Sequence, residues 1–501
     1  MICPSCGSLK LQKRGCVSNR NGERRQSYLC NSCGRRFVDT SFKHKFGPST
    51  ILYGDKYVIT TIQNNVNINE EFYAALLTYC QVNNAGLIII PTIYQKNLYD
   101  ELEWAIDESK LFTSKASIRG MVDILSPNTN ISPTTENPLA GLDVLSKGKS
   151  LIVPHNQLQM RSLPVQRNDH PLIMHTTGTI SEPSYTKSKA GEKAEFNHSY
   201  SAVVVEIDEE IYHIRVLNAD DNNGFYDIDK YYTKNSVSNL DRAEAIVTGD
   251  EHVFVKCPDV ANATYYNKNS MVSVLKPKVI VRHDVLDCFT ISHHHRKDKF
   301  LEYSKFITGK NKIEDELNQT VDFVNTTTPK DSYSIIISSN HHDHLKRWLN
   351  ECDPDRQPWN AKIYHLISWA MLDYVDSYST ISSPDPFRLY VEMQNGNKIK
   401  FVGRNDNYKI KGIELSNHGD IGANGSRGSL NQYARFSDKV VIGHSHTPGI
   451  NKGAYSVGCS TPKTLEYTNG PSSWMNTHCI IYPNGKRQLI NVIKGRWRKS
   501  S

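Results

Sequence analysis

No stretch of this 501-residue chain approaches the roughly 18 consecutive apolar residues needed to cross a bilayer, so no membrane partner is expected. The N-terminus also lacks the charged, apolar, then small-residue succession of an export signal. Eleven cysteines, an odd number, mostly stand alone. The expectation is a soluble intracellular protein whose thiols are free or bind metal, without disulfides. Repeats and heptads are missing too, which removes solenoids and coiled coils. A single core cannot serve this length, and about two to four domains are expected.

What is present begins with charge. The net charge is +7, yet residues 1–45 hold ten Lys/Arg against Glu23 and Asp39, a net +8, leaving 49 basic and 50 acidic residues elsewhere. All the excess positive charge is therefore N-terminal, as in a compact attachment point for nucleic acid. The same segment carries Cys3-Pro-Ser-Cys6 and Cys30-Asn-Ser-Cys33, two CxxC pairs spaced for one tetrahedral thiolate site. So short a segment cannot build a stable core, and one structural Zn²⁺ would supply the missing folding energy. Cys16 is read as a loop thiol. With its CPSCGS start, its Gln26-Ser-Tyr-Leu-Cys30 approach and its Cys33-Gly-Arg-Arg-Phe37 exit, the segment resembles the zinc ribbons of some transposases, which implies DNA contact. A zinc knob that packs on another domain is the alternative.

Residues 56–65 and 86–92 read as buried strands around an amphipathic helix near 70–82, a β-α-β unit. Residues 126–138 are rich in Pro, Ser, Thr and Asn and read as a linker or long loop. Residues 150–240 look strand-rich, with runs such as Ala202–Ile207 and Tyr212–Val216. The division expected is 1–45 zinc ribbon, 46–135 small α/β domain, 136–242 strand-rich domain and 243–501 catalytic domain.

Thirteen of the nineteen histidines follow residue 241, which places the chemistry in that half. Five apolar runs there each stop at metal-ligand residue types. Ala245-Ile-Val-Thr-Gly249 leads to Asp250 and His252, an i, i+2 pair that shares one side of an extended segment. Lys278–Val281 leads to His283, Asp284 and Asp287. Ser334–Ile337 leads to Asn340 and His341, whose i, i+1 spacing makes them diverge. Ile413-Glu-Leu-Ser precedes His418-Gly-Asp420, and Val440–Gly443 precedes His444-Ser-His446, again i, i+2.

The order DxH, D, NH, H, GHxH resembles the nuclease branch of the calcineurin-like metallophosphoesterase superfamily over residues 243–495. That resemblance implies an α/β fold: a metallophosphoesterase β-sandwich flanked by helices, here with the N-terminal ribbon and an additional α/β plus strand-rich region. It implies one metal held by Asp250, His252, Asp284 and His446 and a second by Asp284, Asn340, His418 and His444, with Asp284 bridging. His341 would stand beside the scissile phosphate as the catalytic residue and, if protonated, could stabilise the transition-state charge or protonate the leaving oxygen. Two such ions activate a water, hold the phosphate and stabilise attacking and leaving oxygens. The mixed imidazole, carboxylate and amide set suits Mn²⁺, Fe or Zn²⁺ over Ca²⁺, and Mn²⁺ is favoured. Motif two departs from the family, with His283 where glycine is usual. Asp287 reads as a cap or a partner of a ligand.

His293-His294-His295-Arg296-Lys297 is a candidate phosphate contact, with His294, His295 and Arg296 singled out; a solvated polar loop is the bland alternative. His342 and His344 could support the site from the following helix. Asp420 and Arg427, in a glycine-rich loop, could approach a phosphate. A narrower resemblance, on Tyr57–Gln63, His175–Thr179, Gly419–Gly425 and Gly470–Trp474, is to the early host-DNA-degrading DNases of large tailed phages, which implies work in a bacterial host cytoplasm. The leading expectation is a two-metal DNase, with DNA as partner and a homo-oligomer as the assembly. The competing ones are a phosphatase or phosphodiesterase on another substrate, and a DNA-binding host-takeover factor.

Overall fold

The structure, a computed structural model, describes residues 6, 8–18, 24–38, 50–94, 102–129, 131–166, 170–378, 384–394, 398–465, 468 and 470–499. Cys3 lies outside them.

The apolar runs of the C-terminal half become a six-stranded sheet in the order Ile399–Val402, Tyr333–Ile337, Val279–Arg282, Ala245–Val247, Thr477–Ile481, Arg487–Asn491. Its first four strands are parallel, and the last two pair antiparallel. Period-two alternation divides each parallel strand between two cores. Ala245, Val247, Val279, Val281, Ile335 and Ile337 enter a central core between sheets. Ile246 and Ile280 pack instead with Met271 and Leu275, and Ile336 packs with the helices Ile313–Thr327 and His342–Glu351 through Leu317, Val321 and Leu345. Burial on both faces is why these strands read as unbroken apolar runs.

The facing sheet has eleven strands. Lys409–Ile410, Ile413–Glu414, Val440–Ile442, Ala454–Ser456 and Gly449–Asn451 come first, followed by Gln159–Leu163, Leu172–Thr176, Ser150–Val153, Val122–Ile124, Ala116–Ile118 and Thr50–Leu52. The junction is antiparallel, with Met160 opposite Ile450. Strands from the ranges 46–135, 136–242 and 243–501 thus share one sheet, and Val441, Tyr455, Ile152 and Ile124 share the central core with Val247 and Val281.

A four-stranded sheet, Ile211–Asn218, Ser201–Asp208, Lys56–Gln63 and Gly86–Thr92, contains the β-α-β unit. Lys56–Gln63 and Gly86–Thr92 pair in parallel around helix Glu70–Asn83. Every residue of Ser201–Asp208 is buried. Its Glu206 is held by ion pairs with Arg215 at 3.0 Å and Lys56 at 2.5 Å, and Arg215 also donates to Asp227 at 2.5 Å, which accepts from Tyr79 at 2.7 Å. Within 126–138 the described residues form short turns, including a 3-10 turn at Pro127–Thr129.

Strands Leu11–Ser18, Arg24–Cys30 and Arg36–Val38 make the N-terminal ribbon. Cys16, expected in a loop, lies on the first strand where the register shifts, and is exposed.

Candidate metal centre

Parallel strands deliver their carboxyl ends to one edge of a sheet, which is where open α/β sheets place their ligands. Ala245–Val247, Val279–Arg282 and Tyr333–Ile337 run on into Asp250, Asp284 and Asn340. From the facing sheet, Ile413–Glu414 and Val440–Ile442 run on into His418, His444 and His446. The ligand atoms of Asp250, His252, Asp284 and His446 lie within 4.8 Å of one another, and all four residues are buried. His446 Nε2 is 3.1 Å from Asp250 Oδ2 and 3.1 Å from His252 Nε2, which in turn is 3.8 Å from Asp284 Oδ2. The second expected set is joined pairwise: His418 Nε2 is 3.0 Å from Asp284 Oδ2, and His444 Nδ1 is 3.1 Å from Asn340 Oδ1. The rings of His418 and His444 are 5.3 Å apart. Asp284 therefore touches both sets.

These residues fit a cation. Asp250 Oδ1, Asp284 Oδ1 and His446 Nδ1 are buried with no hydrogen-bond partner, a costly state for groups of this kind. Burial alone would raise the carboxyl of Asp284. The charges of His418, His341 and His252 outweigh it and hold Asp284 well below the usual carboxylate range. Burial likewise opposes charge on His252, but the hydrogen bond and charge of Asp287, with Asp284 and Asp250, lift it to about 9. Enclosed negative charge is drawing protons onto imidazoles where a divalent ion could take their place.

The residues singled out by spacing are brought together, but by a different backbone geometry from the one expected. Extended backbone was expected to converge each i, i+2 pair, but His252, Asp284, His444 and His446 all have left-handed φ, at +39°, +45°, +69° and +55°. Such conformations are disfavoured for side chains with a Cβ and cluster at functional sites. The turns send His446 to Asp250 and His444 to Asn340, so the GHSH pair is divided between the two sets that the resemblance implies, where extended i, i+2 spacing alone would have converged it. Gly443 is required by close approach: a Cβ there would meet Asp250 Oδ1 at 2.3 Å and His283 Cγ at 2.9 Å. That absent Cβ also accommodates the departure at motif two, because the buried His283 ring occupies the space beside Gly443. His283 Nδ1 is 3.3 Å from His418 Nδ1, and burial followed by the charge of His418 pushes it down to about 4. A proton on His418 Nδ1, donated to His283, would leave His418 Nε2 free for a cation.

Asp287 works twice. Its Oδ1 is 2.6 Å from His252 Nδ1, the carboxylate–imidazole contact that orients a ligand, and its backbone oxygen is 2.9 Å from His341 Nδ1. His341 is partly exposed, and its ring is 4.6 Å from that of His252. His342 is turned away, buried against Phe387 and 3.5 Å from Asp385.

The proposed phosphate contacts divide. Arg296 is engaged by Glu351 at 2.6 Å, and His295 packs edge-on to Phe289. His294 joins His293 and His344 in a cluster. Asp420 is held by Arg404 at 2.5 Å, and Arg427 bridges to Ile421 through backbone. In the ribbon, Cys6, Cys30 and Cys33 group together, with Cys6 and Cys30 sulfurs 3.6 Å apart. Burial would raise the Cys30 thiol, yet the amides of Cys33 and Ser32 and the neighbouring thiols pull it down to about 6, suited to a metal thiolate.

Sequence reasoning missed several supports. Arg282 is fully buried and donates to both oxygens of Glu251, at 2.9 and 3.0 Å, and to Ser334 and Thr327. This clamps the loop between Asp250 and His252. Trp474 packs 4.1 Å from the His446 ring. An arginine inside an apolar strand and a glutamate between two ligands were the available signals.

No helix among the described residues is long and apolar enough to cross a membrane. No family model and no solved structure matches the chain. Among curated proteins it is similar to protein A1 of Escherichia phage T5, at 30% identity over 467 residues that cover 89% of this chain and 83% of that protein. Similarity of that extent places this chain in the family of phage T5 protein A1.

Proposed function

We propose that the chain is a metal-dependent DNase of the two-metal phosphodiesterase type, a phage protein acting on host DNA in the bacterial cytoplasm. The observation that carries this reading is the buried group of Asp250, His252, Asp284 and His446, sharing Asp284 with His418, beside Asn340 and His444. The sandwich of two sheets with ligands on the connecting turns supports the metallophosphoesterase fold. When bound, two divalent cations would supply a nucleophilic water and Lewis-acid stabilisation of the phosphoryl oxygens.

The chain's own residues do the remaining work. Asp287 fixes the His252 ring, and His283 orients His418. With Nδ1 donating to the Asp287 carbonyl, His341 keeps Nε2 for the substrate, and as the imidazolium, with both nitrogens protonated, it can stabilise the transition-state charge or give the Nε2 proton to the leaving oxygen. The fully buried carboxylates keep the centre in a low-dielectric setting, where its charges act strongly. The exposed Lys10, Lys13, Arg14, Arg35 and Arg36 of the ribbon would hold DNA through phosphate contacts.

The test incubates purified protein with plasmid, linear DNA and a chromogenic phosphodiester, with and without Mn²⁺, beside Asp250→Asn. Metal-dependent DNA cleavage lost in the variant is expected. Cleavage of the small diester alone would assign another phosphoesterase, and binding of DNA with no hydrolysis would make the fold a scaffold.

A further inference from the structure

His294 and His344 are 50 residues apart in the chain, and the fold brings them together with His293. His293 and His294 occupy the turn after the short helix Phe289–Ile291, and His344 lies in the first turn of helix His342–Glu351. One ring nitrogen from each lies within 4.8 Å of the other two. Ring centroids are 3.8 Å apart for His293 and His294, 4.9 Å for His293 and His344, and 5.7 Å for His294 and His344. The Nδ1 atoms of His293 and His344 are enclosed with no hydrogen-bond partner. A solvated polar loop would leave its imidazoles apart and wet; these converge and are partly dry.

We propose that His293, His294 and His344 form a third metal site, for a late first-row divalent cation such as Zn²⁺, distinct from the two ligand sets that meet at Asp284. The donor set decides the class of ion. Three imidazoles with no carboxylate suit Zn²⁺, Ni²⁺ or Cu²⁺ and disfavour Mg²⁺, Ca²⁺ and Mn²⁺, whereas the mixed carboxylate, amide and imidazole set of the central cage suits Mn²⁺ as well. A tetrahedral ion with bonds of about 2.1 Å sets its ligand nitrogens about 3.4 Å apart, within reach of small side-chain rotations here. Burial, then the neighbouring histidines, pushes His344 down to about 3, and burial with His294 lowers His293, so both rings present lone pairs at neutral pH. Three protein ligands leave one position open, as in zinc sites that handle substrate. His344 is one ring away from His341, with centroids 5.2 Å apart. That the open position takes a phosphate oxygen of the same substrate rests on the phosphodiesterase reading; the ion itself does not.

Full-length protein, stripped of metal and reloaded with excess Zn²⁺, is weighed by native mass spectrometry beside His294→Gln, His344→Gln and Asp250→Asn. His294 is exposed, so its replacement leaves the fold intact, which the thermal unfolding midpoint verifies. Each histidine variant is expected to carry one zinc fewer per chain than the wild type, while Asp250→Asn still holds the ion that they lose. Equal zinc counts in wild type and His294→Gln would overturn the site. So would an ion that disappears from Asp250→Asn together with the histidine variants, since it would then belong to the central cage.

Discussion

Gly443 is the tightest point of the centre, since a methyl group there would overlap Asp250 Oδ1 and the His283 ring. Gly443→Ala is expected to lose the cation of the Asp250 and His446 set, counted by metal analysis on protein whose far-ultraviolet circular dichroism is unchanged. His341 poses the complementary case, touching the ligand His252 without belonging to either ligand set. His341→Ala should keep both central ions and DNA binding while single-turnover cleavage falls about 10²–10⁴-fold, the range of a positioned acid. Loss of metal would make it a ligand instead. His342→Ala is unsuitable as the control because His342 is buried; the exposed Arg347→Ala serves better. At this scale the candidate ligand residues that the fold groups together were legible, because an apolar run that stops at Asp, Asn or His is conspicuous. The left-handed turns were not: no local composition announces φ > 0 at histidine or aspartate. Nor could spacing show that His344 meets His293 and His294, since that contact depends on how a helix docks.

The turn after strand Ala245–Val247 must be held still, and the buried Arg282–Glu251 pair does this. Removing one member of a buried ion pair strands the other without compensation, at a cost of about 3–5 kcal/mol. Glu251→Gln and Arg282→Met should each lower stability by that order in denaturant titrations, and the double variant should recover part of the loss. A double variant as unstable as the sum of the singles would mean that the two residues act independently. Strand existence and the β-α-β unit were readable from period and length. Which strands share a sheet was not, because Met160 and Ile450 pair across 290 residues and both lie in ordinary apolar runs. Nor did the pattern of Ser201–Asp208 distinguish a half-exposed strand from a fully buried one, since Glu206 is paid for only by Arg215 and Lys56 on other strands.

Across the whole molecule, buried neutral histidines set an acid limit. His155, His175 and His478 are each pushed by burial from 6.5 to about 4. His478 is further committed, because its Nδ1 accepts from the Gly249 amide. The folded state keeps these rings neutral where the unfolded chain protonates them. Their contribution is therefore complete above pH 6.5 and lost as pH falls from 6.5 toward 4, by up to about 3 kcal/mol each. The unfolding midpoint should drop across that window, and His175→Gln should flatten the slope. Shared sheets give a second expectation: a fragment of residues 243–501 leaves the edge Gly449–Asn451 without Gln159–Leu163 and should be insoluble or unfolded, judged by circular dichroism and protease sensitivity. A fragment with a cooperative transition would contradict this. The order of these residues along the chain also governs when the central cage can form during synthesis. The cage needs His446, and the Asp250 strand needs its neighbour Thr477–Ile481, so it can close only after Ile481 has been made, long after the ribbon cysteines. A polypeptide interrupted anywhere between ribbon and Ile481 would then carry the ribbon without a closed cage.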